Sequence, residues 1–363
     1  MTRILTFLGS FPGDCAVASV AMARHLAEQG RRVLWVTQNN GPLPEALWQQ
    51  AISGEATALT PGLELMRLSG TALLSQNWDI VKSLEAQYLR DPLLKQVYSQ
   101  ELVLLPGMDQ ALTLNALREL DASGAYDDIV FDGPDGHTAL RMWGLPDGLD
   151  WYVRRFQAII QASALAQTLA PFWQPIAGAI FASGRGQDSW SEPMEQSRGF
   201  LAAGRAAVQN PERVLGFLVA HPQEIAATRY LWGCSQQVGL TIGAVLDLFA
   251  DSNPTPADDF APLQTYPLPS LKADHWAPLM AALPDVDQVI QNAPRSLTID
   301  AANNQVRLFL PGFDKSQIGL TQSGPEVTID AGNQRRNLYL PEPFKNRTVQ
   351  GAKFQENALI LSF

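Results

Sequence analysis

Two turns hold the residues whose types and spacing could do chemistry. The first, Gly9-Ser10-Phe11-Pro12-Gly13-Asp14-Cys15-Ala16, joins an apolar run to an alanine-rich one. Glycines at such a junction let backbone N–H groups at a helix N-terminus face an anion, as phosphate loops do. A phosphate loop also needs a lysine on the β- and γ-phosphates and a hydroxyl on Mg²⁺. This turn has neither. Asp14 stands where the anion would sit, and it is placed to cap the following helix. Cys15 would be activated by a helix N-terminus and is opposed by its acidic neighbour, so packing is its other reading.

The second turn is Phe131-Asp132-Gly133-Pro134-Asp135-Gly136-His137-Thr138. Asp132 leaves the C-terminal end of an apolar strand, the edge where open α/β sheets bind ligands, and can orient Mg²⁺ or a water there. Asp-Gly pairs also make plain turns. His137 is a candidate general base, or a structural loop histidine.

The elements that must position these turns follow from hydrophobic pattern. Residues 3–9 are apolar on both faces, as a buried parallel strand requires. Ala16 to Gln29 reads as a helix with Gly30 at its C-cap, followed by a strand in "RRVLWVTQ". Further strands lie in Tyr126–Gly133, Arg213–Ala220 and Thr241–Ala250, with a helix in "QEIAATRYLWGCSQQVG". The alternation predicts an α/β domain over 1–250 built on an open, mostly parallel sheet. Two helical insertions are expected, at 78–125 and 151–210. Residues 251–294 are proline-rich and read as a linker with one short helix near Trp276–Leu283. From 295 to 363 apolar and polar residues alternate between Gly, Asn, Asp and Pro turns, which predicts a small all-β sandwich.

Composition narrows the function classes. The 363-residue chain has a formal net charge of −10, which argues against a nucleic-acid partner. Its two cysteines, Cys15 and Cys234, cannot form a disulfide framework or a four-ligand zinc site, and suit a reducing, cytoplasmic compartment. The N-terminal apolar run stops at Ser10, Pro12 and Asp14, shorter than the about 7–15 residues of a signal peptide. Residues 156–184 carry no charge and are long enough to span a bilayer. The glutamines and two prolines inside the stretch, and its position within an α/β unit, argue against insertion.

Together these residues resemble the ArsA-type ATPases, above all the GET-pathway factors that carry tail-anchored membrane proteins. "YDDIVFDGPDGHTALRMWGLPDGLDWYVRRF" is similar to the family's switch II segment, in which Asp132, Pro134, Gly136, His137 and Thr138 match; Gly133 and Asp135 depart. "LLPGMDQALTLNALREL" is similar to the family's Pro-Gly-hydrophobic-Asp-Glu-Ala helix. The C-terminal module resembles an α-crystallin (small heat-shock) domain through "LPGFDKSQIGL" and "FQENALILSF". The combination resembles a subgroup from cyanobacteria and plastids.

The resemblance implies a P-loop NTPase-like fold, ATP·Mg²⁺ as cofactor and a homodimer, and the departures qualify it. Aligned from Gly9, the family's two lysines become Ser10 and Cys15, its metal-binding Thr becomes Ala16, and Asp14 takes a glycine position. The aspartate that would activate water corresponds to Asn39, which can orient water but not accept its proton. Phosphoryl transfer depends on charge neutralisation and positioning. The expectation is therefore a degenerate nucleotide site over Gly9, Ser10, Gly13, Asp14, Cys15 and Ala16, with weak or no hydrolysis. The family's zinc-binding Cys-x-x-Cys and its three arsenite thiolates are absent, so no metal is expected. In the second insertion Leu165, Leu169, Phe172, Trp173, Ile176, Ile180 and Phe181 are the candidate surface for hydrophobic or tail-anchor segments; a helical core is the other reading. The expected function is a targeting chaperone. Its alternatives are a working ATPase that couples hydrolysis to client release, with Arg185 or Arg198 replacing the lysines, and a client-free structural protein.

Overall fold

The computed structural model describes residues 2–88, 97–162, 193–251, 257–272 and 275–363. The N-terminal strands are β1 (Arg3–Leu8), β2 (Val33–Thr37), β3 (Thr57–Thr60), β4 (Leu63–Arg67), β5 (Asp128–Asp132), β6 (Val214–Ala220), β7 (Ile242–Asp247) and β8 (Gln264–Pro267). They form one sheet in the order β3-β4-β2-β5-β1-β6-β7-β8. All pairings are parallel except the outermost, β3 with β4. The central strands are buried at almost every position, because helices cover both faces.

The helices are α1 (Pro12–Glu28), α2 (Leu43–Trp48), α3 (Gly70–Tyr88), α4 (Met108–Ala122), α5 (Gly136–Ala162), α6 (Pro193–Val208), α7 (Ile225–Gln237), α8 (Ala277–Ala281) and α9 (Val286–Asn292). Strand side chains alternate between the two faces. Ile4 and Leu8 join a core with Leu117 of α4, Met142 of α5, Val208 of α6 and Leu231 of α7. Leu5 and Phe7 face the other way, onto α1, Trp35 and Trp48. Among the described residues no helix is long and apolar enough to cross a membrane. The candidate client surface, Leu165 to Phe181, lies outside the described residues.

Several expectations are corrected. The described residues of the expected linker 251–294 pack against the first domain. Strand β8 extends the sheet by pairing with β7, and the Leu268 N–H donates to the Asp247 carbonyl at 2.8 Å. Trp276, Leu279, Val286 and Val289 are buried in the α1-side core. The Arg24 guanidinium lies 4.6 Å from the Trp48 ring and 5.1 Å from the Trp276 ring. Pro267, the last residue of β8, is compatible with an edge strand, whose outer N–H row has no ladder to serve. Strands β3 and β4 had no counterpart in the sequence reading. The expected insertion boundaries at Trp78 and Trp151 fall inside α3 and α5 rather than at element ends.

The C-terminal sandwich packs sheet β14 (Gly351–Gln355), β15 (Ala358–Ser362), β10 (Gln305–Phe309) and β9 (Leu297–Asp300) on sheet β11 (Ile318–Ser323), β12 (Glu326–Ala331) and β13 (Gln334–Tyr339). All pairings are antiparallel. The module is docked on α7. At Gly233 a Cβ would lie 2.2 Å from the Pro311 carbonyl oxygen, so only glycine allows this approach. Arg336 donates to the Gln236 carbonyl at 3.0 Å, and Gln237 donates to the Ile329 carbonyl at 3.3 Å. From α5, Trp151 and Arg154 donate to Glu326 at 3.3 and 3.2 Å. The sandwich core and the α7-side sheet core form one continuous apolar cluster.

Candidate functional site

The two turns meet at the C-terminal edge of the sheet. β1 ends at Leu8 and α1 begins at Pro12, so Gly9, Ser10 and Phe11 alone join them. The helix starts a full turn earlier than expected. Proline at its first position explains this, since its φ is preset for a helix and the N–H it lacks would have been unpaired. The Phe11 carbonyl accepts the Asp14 N–H at 3.1 Å and the Cys15 N–H at 3.3 Å. The Pro12 amide has no proton, and those of Asp14 and Cys15 are already bonded, which leaves a poor cradle for phosphate. The residues present do not fit an ATP·Mg²⁺ group.

Asp14 lies in the first turn of α1, and its side chain makes no capping bond, contrary to expectation. Partial burial raises its pKa, and His221 opposes the rise. Gly9 serves packing: a Cβ there would lie 2.9 Å from the Val219 carbonyl oxygen and 3.0 Å from the Cys15 sulfur. Burial, then the neighbouring Asp132 and Asp14, push the Cys15 thiol well above its ordinary value, so it is a buried thiol rather than a thiolate. Ala16 is fully buried. The Ser10 hydroxyl is buried without a partner among the described residues. Gly13 has room for a side chain, since the nearest atom to a Cβ there would be Leu43 Cδ2 at 3.7 Å.

Asp132 is 3% exposed at the end of β5. The Thr37 hydroxyl, on the neighbouring strand and in register, donates to it at 2.7 Å. Burial pushes its pKa up to about 7, with the Thr37 hydrogen bond pulling the other way. Asn39 is held in its own turn: its N–H donates to Thr37 Oγ1 at 3.0 Å, and its Oδ1 accepts the Gly41 N–H at 2.8 Å. Asp135 caps α5 by accepting the Thr138 N–H at 3.1 Å. Pro134 is half-buried between the two acids. A Cβ on Gly136 would lie 3.4 Å from the Gly9 carbonyl oxygen, which brings the two turns into contact. His137 is exposed, and its ring lies 5.8 Å from that of Tyr230. Gly9, Cys15, Asp132 and Gly136 thus converge, Asn39 is linked to Asp132 through the Thr37 hydroxyl, and His137 faces Tyr230 instead.

Sequence reasoning missed an aromatic stack across this edge. The Phe11 ring lies 4.4 Å from His221, which lies 4.5 Å from Phe249. His221 follows β6, Phe249 follows β7, and His221 Nδ1 accepts the Gln223 N–H at 3.3 Å. Both come just past the carboxyl ends of parallel strands, and that position was the available signal. The edge is aromatic and acidic, and the first lysine of the chain is Lys82. Among the described residues no group of three or more His, Cys, Asp or Glu could hold a metal ion.

Comparison with known proteins agrees with the architecture. A family model described as "Anion-transporting ATPase" matches residues 13–228, and one described as "HSP20-like domain found in ArsA" matches residues 301–363. A "Putative arsenical pump-driving ATPase" of Chlorobaculum tepidum is 29% identical over 150 residues, covering 41% of this chain and 37% of that protein. The chain thus spans little more than a third of that relative in the matched stretch. An uncharacterized protein of Streptomyces coelicolor is 26% identical, covering 99% of this chain and 97% of its own length. A "Putative arsenical pump-driving ATPase 1" of Aquifex aeolicus is 18% identical, covering 99% of both. A doubly covered parallel sheet, a matched ATPase region that includes both turns from Gly13 onward, and a C-terminal β-sandwich in the matched position lead to one assignment: the chain belongs to the ArsA-type anion-transporting ATPase family and carries that family's HSP20-like domain.

Proposed function

We propose that this chain is a pseudo-ATPase of the ArsA type, a factor that binds hydrophobic protein segments such as tail anchors without hydrolysing ATP. The observation that carries the reading is the β1–α1 connection, in which Pro12 starts the helix and the amides of Asp14 and Cys15 bond to Phe11. A γ-phosphate brought there would meet Asp14 and, close by, Asp132, with no lysine on the loop to offset them. The aromatic stack of Phe11, His221 and Phe249 further fills the edge. Calorimetric titration with ATP·Mg²⁺ is expected to give no binding tighter than about 10 µM (about −7 kcal/mol). Phosphate release abolished by Asp132→Asn would overturn the reading in favour of a working ATPase.

The client part rests on the family and on the uncharged stretch 156–184, since a groove for an apolar helix must lack unpaired charge. Co-expression with a tail-anchored protein tests it. If no complex forms, and substitutions at Phe172 and Trp173 alter only stability, the client reading fails and the client-free alternative stands. Sedimentation of the free chain tests the homodimer. A thiol-based arsenical site, which the relatives' names would suggest, has little support in this chain: Cys15 and Cys234 are both buried, and burial raises both thiols, Cys234 to about 11.

A further inference from the structure

A cavity of about 460 Å³ lies between α4, α5 and α6, above the N-terminal ends of β1 and β6. That volume falls within the range of about 300–1,000 Å³ found for small-molecule sites. Its walls are mostly apolar, built from Leu114 and Leu117 of α4, Leu149 of α5, and Phe200 and Leu201 of α6, with Asn115, Arg118, Asp121, Asn210 and Arg213 also in the lining. Trp143 also lines it. The Trp143 side chain is 2% exposed, and its indole N–H is buried without an acceptor among the described residues. Its ring is fixed edge-on to Phe131 at 6.0 Å.

The cavity is too small to enclose a 20-residue helix, which at about 10 Å across and 30 Å long displaces about 2,400 Å³. Its described lining contains none of the candidate client residues Leu165 to Phe181. The charged groups at the rim are already engaged: Arg213 pairs with Asp121, and Arg118 donates to Asn115 Oδ1 at 3.0 Å and lies 5.0 Å from the Phe200 ring. An anionic headgroup drawn inside would have to displace these partners, and burying it unpaired is costly. Among the donors of the lining the Trp143 N–H is the one buried without an acceptor among the described residues, and an uncharged acceptor on an apolar body would satisfy it.

We propose that this cavity binds a neutral single-chain lipid whose uncharged oxygen accepts the Trp143 N–H. The full-length protein would be titrated calorimetrically with 1-decanol and, in parallel, with decanoate. One site for 1-decanol is expected, with decanoate at least tenfold weaker. Trp143→Phe keeps the apolar ring and removes the donor, and should weaken 1-decanol binding by about three- to tenfold. Ala207→Phe places a ring where Ala207 lines the cavity and should abolish binding. Where that variant fails to fold, Trp143→Phe alone decides. Absence of 1-decanol binding, affinity unchanged in Trp143→Phe, or decanoate binding as tightly as the alcohol would each overturn the proposal.

Discussion

Replacing Asp132 with asparagine should stabilise the protein, and more so the higher the pH. The carboxyl is 3% exposed, its one side-chain partner among the described residues is the Thr37 hydroxyl at 2.7 Å, and burial raises its pKa from 3.8 to about 7. In the unfolded chain the same group titrates near its ordinary value. Between pH 3.8 and about 7 the folded state therefore holds the proton and the unfolded state does not. Stability is highest below the lower value and falls as pH rises through the upper one. At 1.36 kcal/mol per tenfold change in acidity the full loss is about 4 kcal/mol. Between pH 5 and pH 8.5 the loss is about 2–3 kcal/mol. Asparagine keeps an acceptor for Thr37 and carries no charge, so the variant escapes this loss. Urea denaturation of both proteins at several pH values isolates the effect, because other titrating groups cancel in the difference. The stability gap should widen by about 2–3 kcal/mol from pH 5 to pH 8.5. A gap that stays flat, or narrows as pH rises, would mean that Asp132 is ionised and satisfied in the fold, and the argument from burial would be refuted.

Cys15 and Cys234 should resist thiol-directed labelling in the native protein at pH 7.5 and react at least a hundredfold faster in urea, because both are buried with raised pKa values. Gly233→Ala should destabilise by about 1–3 kcal/mol despite alanine's better helix propensity, since its Cβ would meet Pro311 and the Phe313 ring; urea denaturation measures this. Arg336 is 5% exposed, and Asp147 of α5 is the acid that favours its charge. Asp147→Ala should therefore destabilise by about 1–3 kcal/mol, and adding Arg336→Met should recover part of the loss, read from a double-mutant cycle in urea.

The sheet was legible because strands buried on both faces must be apolar throughout, as β1, β2, β5, β6 and β7 are. Edge strands lack that constraint. β3 is mostly exposed, and β8 ends in proline, so neither gave a signal above that of a loop. α9 was hidden for another reason: its seven residues bury only Val286 and Val289, too few for a visible period. At the site, Asp132 was legible from its place at a strand end. The start of α1 was misplaced by reading Pro12 as a turn residue, although proline is favoured at the first helical position. The Phe11–His221–Phe249 stack joins three loops far apart in sequence, and no local pattern records such a meeting.

The way the sandwich is seated on α7 also limits what the module can do for others. Val306, Leu308, Ile329 and Leu361 share one apolar cluster with Leu231, Trp232 and the sheet, so severing the chain near residue 301 would leave a wet, sticky face on each half. What reads as two modules in sequence shares one buried core in the fold. A small heat-shock-like domain held in this way cannot lend its docked face to another protein. Any partner it recruits must approach through the outer strands β9, β11 and β14, while the rest serves as scaffolding for its own chain.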